Sequence, residues 1–199
     1  DDPARDAVPV RDVVVPGPAR PARPPNVVII MADDLGYGDV GAYGNRLVAT
    51  PRIDELAQQG ARFTDFYASH SNCSPSRAGL LTGRYPLRTG INFPIQRGND
   101  DWRRAVARRF GRLSARLGAT DMAQAGESAQ PGLPESEVTL AEALRVAGYA
   151  TGLVGKWHLG DFTYDPRYHP RRHGFDFFAG FPGSNDEFPY CYWKDDEVV

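Results

Sequence analysis

The chain has 199 residues, of which 41% are hydrophobic and 24% are charged, and this suits one soluble globular domain or part of a larger one. Its formal net charge of −2 argues against a general binder of nucleic acid or of membrane surfaces. The longest apolar run, residues 27–32, is too short to span a bilayer, and two cysteines provide no disulfide framework.

The N-terminal part alternates between predicted extended and helical segments. Residues 1–25 are rich in proline and poor in apolar periodicity, so we expect an extended leader or linker. Residues 26–32 (NVVIIMA) are continuously apolar and β-branched, which predicts a strand buried on both faces of a parallel sheet. Two further elements are expected, namely a helix that starts at Pro51, ends at Gly60 and turns Ile53, Leu56 and Ala57 inward, and a strand over residues 61–68.

The stretch from Cys73 to Gly83 (CSPSRAGLLTG) predicts a short helix with a reactive side chain at its start. Pro75 suits the first helical position because its φ angle is fixed, Ser74 can cap the helix, and Gly83 can end it. Backbone N–H groups at a helix N-terminus favour an anion, and Arg77 lies about one turn further along. We therefore expect an oxyanion site that contains a nucleophile, although Cys73 could instead be a small buried hydrophobe.

The most periodic part of the chain lies within residues 98–134. Apolar residues recur at steps of three and four from residue 102 to 117, and arginines cover the opposite face. We expect an inserted Arg-rich helix that packs on the domain with a solvated basic face, followed by a loop rich in Gly, Ala and Pro. The alternative is a basic surface for a polyanionic substrate or partner.

A second helix and strand are predicted after this segment. Thr139 and Glu142 form a capping-box pattern for a helix that ends at Gly148. Residues 149–154 then predict another buried strand, which runs into Gly155-Lys156-Trp157-His158. The alternation predicts an α/β fold with a largely parallel sheet flanked by helices, in which ligands gather beyond the carboxyl ends of the strands.

Two pairs of polar side chains follow the predicted buried strands. Asp33 and Asp34 are costly there unless they are neutralised, and their oxygens suit Ca²⁺ or Mg²⁺, although a turn or cap is the commoner role of such a pair. Lys156 and His158 are two residues apart, so on a strand they face the same side and could bind an anion and exchange protons with a reacting group. Each pair alone is weak evidence for a site.

Together these residues resemble the sulfatase family, the formylglycine-dependent sulfate ester hydrolases. The pattern Cys-x-Pro-Ser-Arg-x-x-x-x-Thr-Gly is complete from Cys73 to Gly83, and residues 148–158 match the second signature of the family. Asp33-Asp34 matches its first pair of metal ligands, and residues 173–176 and 180–186 look like the next block of arylsulfatase A-like members. The resemblance covers about residues 25–190 and implies an alkaline phosphatase-like sulfatase fold.

The resemblance implies how the nucleophile and the metal would be supplied. A separate formylglycine-generating enzyme would oxidise Cys73 to Cα-formylglycine, and one hydroxyl of its hydrate would attack the sulfur of a sulfate ester. Asp33, Asp34 and the modified Cys73 would contact Ca²⁺, with Mg²⁺ the less favoured ion. The ion would lower the cost of bringing the negative charges together.

The resemblance also implies roles around the substrate, a small-molecule or carbohydrate sulfate ester. Arg77 would hold the hydrate and shield charge. Lys156 would bind a sulfate oxygen, and His158 would hydrogen-bond the hydrate and take its proton. Ser184 aligns with a substrate-side position.

The chain departs from the family in its length. Family members are much longer, and the part without a match normally brings an Asp-Asn pair that completes the metal site, with a further His and Lys. Residues 26–199 are therefore interpreted as the N-terminal part of a sulfatase catalytic domain, incomplete at the C-terminus. A phosphonate or phosphodiester hydrolase of the same superfamily and an inactive truncated form are the alternatives. We expect no nucleic-acid partner, no membrane span, and a secreted, periplasmic or lysosome-like compartment.

Overall fold

The structure is a computed structural model that describes residues 24–95, 130–184 and 191–199. The predicted leader up to residue 23 and the predicted Arg-rich helix lie outside the described residues. The chain divides into two compact units, Asp1–Glu55 and Leu56–Val199, which are described separately below. None of the helices among the described residues combines the length and the apolar character needed to cross a membrane.

The predicted strand at residues 26–32 is wrong for this structure. The segment is extended but belongs to no strand, and Val28 and Ile30 expose 81% and 87% of their surface. An apolar, β-branched run forms a strand only where a neighbouring strand accepts its hydrogen bonds. The one sheet among the described residues lies entirely in the second unit and does not include this segment.

In the first unit, the loop that follows Asp34 is fastened to the start of helix α1 (Pro51–Gln59). The loop contains two 3₁₀ turns, Tyr37–Asp39 and Gly41–Tyr43. The Gly41 amide donates to Thr50 Oγ1 at 2.8 Å, and the Ala42 amide donates to Asp54 Oδ1 at 2.6 Å. The predicted helix start is confirmed, because α1 begins at Pro51.

The predicted inward face of α1 is wrong, since Ile53 and Leu56 expose 48% and 67% of their surface. The predicted strand at residues 61–68 is also wrong, because these residues form no strand and Phe63 and Phe66 are exposed. Both errors have one physical cause. A periodic apolar pattern states which face can be buried, but burial itself requires a packed neighbour.

In the second unit, helix α2 spans Cys73–Thr82, with Asn72 as its N-cap. The predicted cap was therefore wrong: Ser74 lies inside the helix, fully buried, and Pro75 is the third helical residue. Gly83 ends the helix as predicted, with a φ of 65° that favours glycine. Helix α3 (Pro86–Thr89) follows.

Helix α4 (Leu140–Val146) leads into a four-stranded sheet. The predicted capping box is confirmed, because Thr139 Oγ1 accepts from the Glu142 amide and the Glu142 carboxylate accepts from the Thr139 amide. The strands are β1 (Gly152–Lys156), β2 (Phe177–Phe181), β3 (Trp193–Lys194) and β4 (Glu197–Val198), in that order across the sheet.

The α/β class is confirmed, and the described sheet is mixed. Strand β1 pairs with β2 in parallel, whereas the β2–β3 and β3–β4 pairs are antiparallel. Apolar side chains of the helices, the strands and the loops between them form one core. Its fully or nearly fully buried members include Ala78 of α2, Phe178 of β2, and Trp157 and Leu159 in the segment that follows β1.

Candidate active site

Backbone hydrogen bonds and the buried side chain of Trp157 fix the segment that follows β1. The Trp157 amide donates to the Phe181 carbonyl at 3.1 Å, and the His158 amide donates to the Pro182 carbonyl at 2.8 Å, so pairing with the β2 segment continues past the strand. Trp157 is 1% exposed, and its indole Nε1 donates to the Tyr168 carbonyl at 2.8 Å. Lys156 and His158 flank this anchor and therefore leave the sheet from a fixed backbone.

Backbone strain marks two of the predicted site residues. His158 has a φ of 56° and Asp34 a φ of 58°, and only one other described non-glycine residue, Asp195, has a positive φ. The left-handed region is uncommon for residues with a side chain, and such strained residues cluster at active and binding sites. We predicted that Lys156 and His158 face the same side because side chains alternate along a strand. The left-handed backbone at His158 ends this alternation, so the basis of that prediction does not hold at this position.

A first set of hydrogen bonds, which we call the first link, joins α2 to the end of β1 through the side chains of Arg77 and Lys156. Arg77 Nη1 donates to the Lys156 carbonyl at 2.7 Å, and Lys156 Nζ donates to Ser184 Oγ at 3.1 Å. These contacts position the guanidinium and the ammonium. Arg77 lies one turn after the start of α2, and a positioned cation and a helix N-terminus each favour an anion.

A second link joins α2 to His158. The Ile95 amide donates to Ser74 Oγ at 2.9 Å, and the Ile95 carbonyl lies 2.8 Å from His158 Nε2. Because a carbonyl oxygen can only accept, Nε2 carries a proton, and in the neutral form of the ring the lone pair is then at Nδ1. The sequence did not predict this link: Ser74 was expected to be a cap, and the backbone contact of Ile95 has no sequence signal.

Cys73 is the first residue of α2 and a partly exposed free thiol. It directly precedes Ser74 and lies one helical turn before Arg77, so both links begin next to it. The structure therefore brings Arg77, Lys156 and Ser184 together in one link and connects His158 to the helix of Cys73 by the other. All five predicted residues belong to the second unit.

The predicted metal ligands Asp33 and Asp34 lie in the first unit, where both residues are exposed. Their carboxylate oxygens suit a hard cation such as Ca²⁺, which takes six to eight oxygen ligands, so two carboxylates provide only part of a site. Among the residues that the structure describes, no three His, Cys, Asp or Glu side chains gather in a way that could hold a metal ion. The metal role of Asp33, Asp34 and Cys73 therefore stays a prediction.

A buried histidine lies behind the Lys156–His158 segment. His173 is fully buried, and its ring packs against Trp157 with 5.5 Å between the ring centroids. Burial lowers the pKa of His173 below its usual value, and the negative charge of Glu142 opposes this shift only in part. The ring is therefore a neutral packing group.

Comparisons with known proteins agree with the motifs. Residues 25–197 match the sequence profile of the Sulfatase family. The chain is 44% identical over 178 residues to steryl-sulfatase of Mus musculus, an alignment that covers 85% of this chain and 24% of that protein. It is 45% identical over 172 residues to arylsulfatase A of Homo sapiens, covering 84% and 27% respectively.

Solved structures show the same relationship. The structure described as Ps i-CgsB superimposes with a TM-score of 0.65 at 30% identity, covering 85% of this chain and 36% of that one. A Bacteroides thetaiotaomicron protein of glycosaminoglycan metabolism gives 0.60 at 36% identity, with coverages of 84% and 30%. The chain thus spans about a quarter of the length of the curated relatives and shares the alkaline phosphatase-like α/β fold of sulfatases. By its motifs, its matched profile and its fold, the chain belongs to the sulfatase family.

Proposed function

We propose that this protein hydrolyses a sulfate monoester at the site that begins at Cys73. The observation that carries the proposal is the pair of hydrogen-bonded links from α2, one to Lys156 and Ser184 and one to His158. They connect a nucleophile position, two cations and a histidine, which are the parts that transfer of a sulfuryl group requires. The names of the curated relatives, steryl-sulfatase and arylsulfatase A, support the same reaction.

In this proposal the cations bind the substrate. Arg77 and Lys156 attract the sulfate oxygens, and the backbone N–H groups at the start of α2 add to the positive potential. Ser184 holds the Lys156 ammonium in one place, so that less side-chain entropy is lost when the ester binds. His158 exchanges a proton with the nucleophile through Nδ1, because Nε2 is used on the Ile95 carbonyl.

We propose that Cys73 is the precursor of the nucleophile rather than the nucleophile itself. A formylglycine-generating enzyme would oxidise the Cβ of Cys73 by two electrons with molecular oxygen as the oxidant; the C–S bond breaks, the sulfur leaves as sulfide, and water provides the oxygen of the aldehyde. The hydrated aldehyde offers two hydroxyls on one carbon, so the second can expel sulfate after the first has accepted it, which a thiol cannot do. The complete Cys-x-Pro-Ser-Arg motif and the partial exposure of Cys73 support this modification.

Asp33 and Asp34 would contribute carboxylate oxygens to a Ca²⁺ site, with Mg²⁺ as the weaker candidate. A bound cation would offset the negative charge of the carboxylates and of the sulfate group. Calorimetric titration of the chain with Ca²⁺, and of the Asp33→Asn/Asp34→Asn variant as a control, tests this part. We expect weak binding that the variant loses, and binding that is unchanged in the variant would exclude these carboxylates as ligands.

Two measurements test the reaction. Mass spectrometry of the Cys73 peptide, produced in a host with a formylglycine-generating enzyme, should show the aldehyde, and Cys73→Ala provides the control. Parallel assays of an aryl sulfate and an aryl phosphonate ester should give the larger kcat/KM for the sulfate. A larger value for the phosphonate would assign the protein to the phosphonate hydrolases, and a modified chain inactive on both esters would indicate an inactive form. The expected compartment, secreted, periplasmic or lysosome-like, stays a prediction.

A further inference from the structure

The backbone N–H and the backbone carbonyl of Ile95 are both bound to the candidate site. Its N–H donates to Ser74 Oγ at 2.9 Å, and its carbonyl accepts from His158 Nε2 at 2.8 Å. Ser74 is 0% exposed, His158 is 3% exposed and Ile95 is 7% exposed, so water cannot easily replace either bond. The result is a buried relay from the residue next to Cys73 to the imidazole ring.

The relay acts on a residue whose backbone is under strain. His158 sits at a φ of 56°, a strained conformation that persists only where the surrounding structure holds the residue in place. Two hydrogen bonds hold it here, one from its amide to the Pro182 carbonyl at 2.8 Å and one from its ring to the Ile95 carbonyl. The ring bond has a second effect, because it decides which nitrogen carries the proton.

We propose that Ser74 is a positioning residue for His158: its hydroxyl holds the backbone N–H of Ile95, and the carbonyl of that residue keeps the imidazole in the Nε2–H form and leaves Nδ1 for proton exchange. The inference rests on the proposed function for the use of Nδ1, whereas the relay itself stands on the two hydrogen bonds. Ser74 touches no reacting atom in this scheme. It acts through Ile95, in the way that a histidine is oriented by the group bound to its other nitrogen.

Removal of the Ser74 hydroxyl should loosen the relay in a defined way. The Ile95 N–H would be left buried without an acceptor, and the peptide would turn toward another partner or toward water. The Ile95 carbonyl lies on the next peptide plane, which is joined to the first at the Ile95 Cα, so a rotation there would move the carbonyl away from His158 Nε2. The preference for the Nε2–H form should fall by about fivefold, the equilibrium effect of weakening one hydrogen bond.

Nitrogen NMR of the full chain labelled with ¹⁵N-histidine measures the tautomer directly at a pH where the imidazoles are neutral. The chain has four histidines, so the spectrum is simple, and His158→Gln assigns the signal. In the wild type we expect Nε2 of His158 to be the protonated nitrogen. Ser74→Ala should move both ring nitrogens toward the shifts of a tautomer mixture, and Ser74→Thr, which keeps the hydroxyl, should restore them.

Ser69→Ala is the matched control. Its hydroxyl is also buried, but it has no hydrogen-bond partner among the described residues, so its removal should leave the His158 signals unchanged. If Ser74→Ala does not fold, Ser74→Cys replaces it, because a thiol has a similar shape and is a weaker acceptor. An Nδ1–H ring in the wild type, or unchanged His158 shifts in the folded Ser74 variants, would overturn the proposal. The spectra need no turnover, so failure of the proposed function, seen in the ester assays, is a separate result.

Discussion

Replacing Gly79 with alanine tests the packing of α2, the helix that carries Cys73, Ser74 and Arg77. Alanine is the better helix former by about 1 kcal/mol in an exposed helix. In this structure, however, a Cβ on Gly79 would overlap the Ser69 hydroxyl and lie 2.9 Å from Ser69 Cβ. Overpacking of this kind costs about 1–3 kcal/mol, so we expect Gly79→Ala to lower the free energy of unfolding by about 1 kcal/mol.

Whether Gly79→Ala raises or lowers the free energy of unfolding depends on the residue at position 69. In a Ser69→Gly chain the obstructing atoms are gone, and the remaining close contact of the added Cβ is the Arg84 carbonyl at 3.3 Å, which a small shift relieves. Gly79→Ala should therefore stabilise that chain by up to about 1 kcal/mol. Urea unfolding at 25 °C, followed by circular dichroism, gives the four free energies of the double-mutant cycle.

The expected coupling between the two sites is about 1–3 kcal/mol, with m-values that do not change. Stabilisation by Gly79→Ala in both backgrounds would show that Ser69 does not restrict α2. Equal destabilisation in both would place the obstruction at the Arg84 carbonyl instead.

Three further predictions concern single sites. His158→Asn should be more stable than His158→Ala by about 1 kcal/mol in thermal unfolding, because asparagine tolerates the left-handed backbone better; equal stabilities would contradict the strain argument. Arg84→Ala should lower the free energy of unfolding by about 2 kcal/mol, because the Glu137 side chain is only 9% exposed and its two carboxylate oxygens lose hydrogen bonds of 2.6 and 2.7 Å from Arg84 Nη1. Adding Glu137→Gln should recover part of this loss, because it removes the buried charge. Burial lowers the pKa of His173, so below a pH of about 6.5 the unfolded chain binds more protons than the folded chain, and the free energy of unfolding should fall. His173→Leu should remove this part of the pH dependence in urea unfolding. A pH profile that is the same in the variant and the wild type would refute the prediction.

The elements that the sequence predicted well depend on local chemistry. The Thr139–Glu142 capping box, the start of α1 at Pro51 and the glycine end of α2 at Gly83 each follow from hydrogen bonds or dihedral angles within a few residues. The site roles of Lys156 and His158 come from the family resemblance and stay predictions. Their connection to α2 is a finding of the structure.

The errors concern contacts between distant parts of the chain. Residues 26–32 and 61–68 have the composition or alternation of strands, but a strand exists only with a paired neighbour, and the described residues give them none. The helix cap was misassigned because Ser74 is recruited by the amide of Ile95, twenty-one residues later in the chain. No residue type encodes a backbone amide or carbonyl as a partner, so periodicity and motifs could not reveal this contact.

The two links from α2 divide the proposed chemistry between separate residues on one helix. Arg77 reaches the Lys156 carbonyl and so belongs to the anion-binding part, whereas Ser74 reaches Ile95 and so belongs to the proton-exchanging part. Positions three residues apart lie on the same helical face, so a shift of α2 moves both parts together. Gly79→Ala should therefore disturb substrate binding and proton exchange at once, while Ser184→Ala should weaken substrate binding with little effect on the His158 tautomer. This difference would separate a role of α2 in alignment from a role in stability alone.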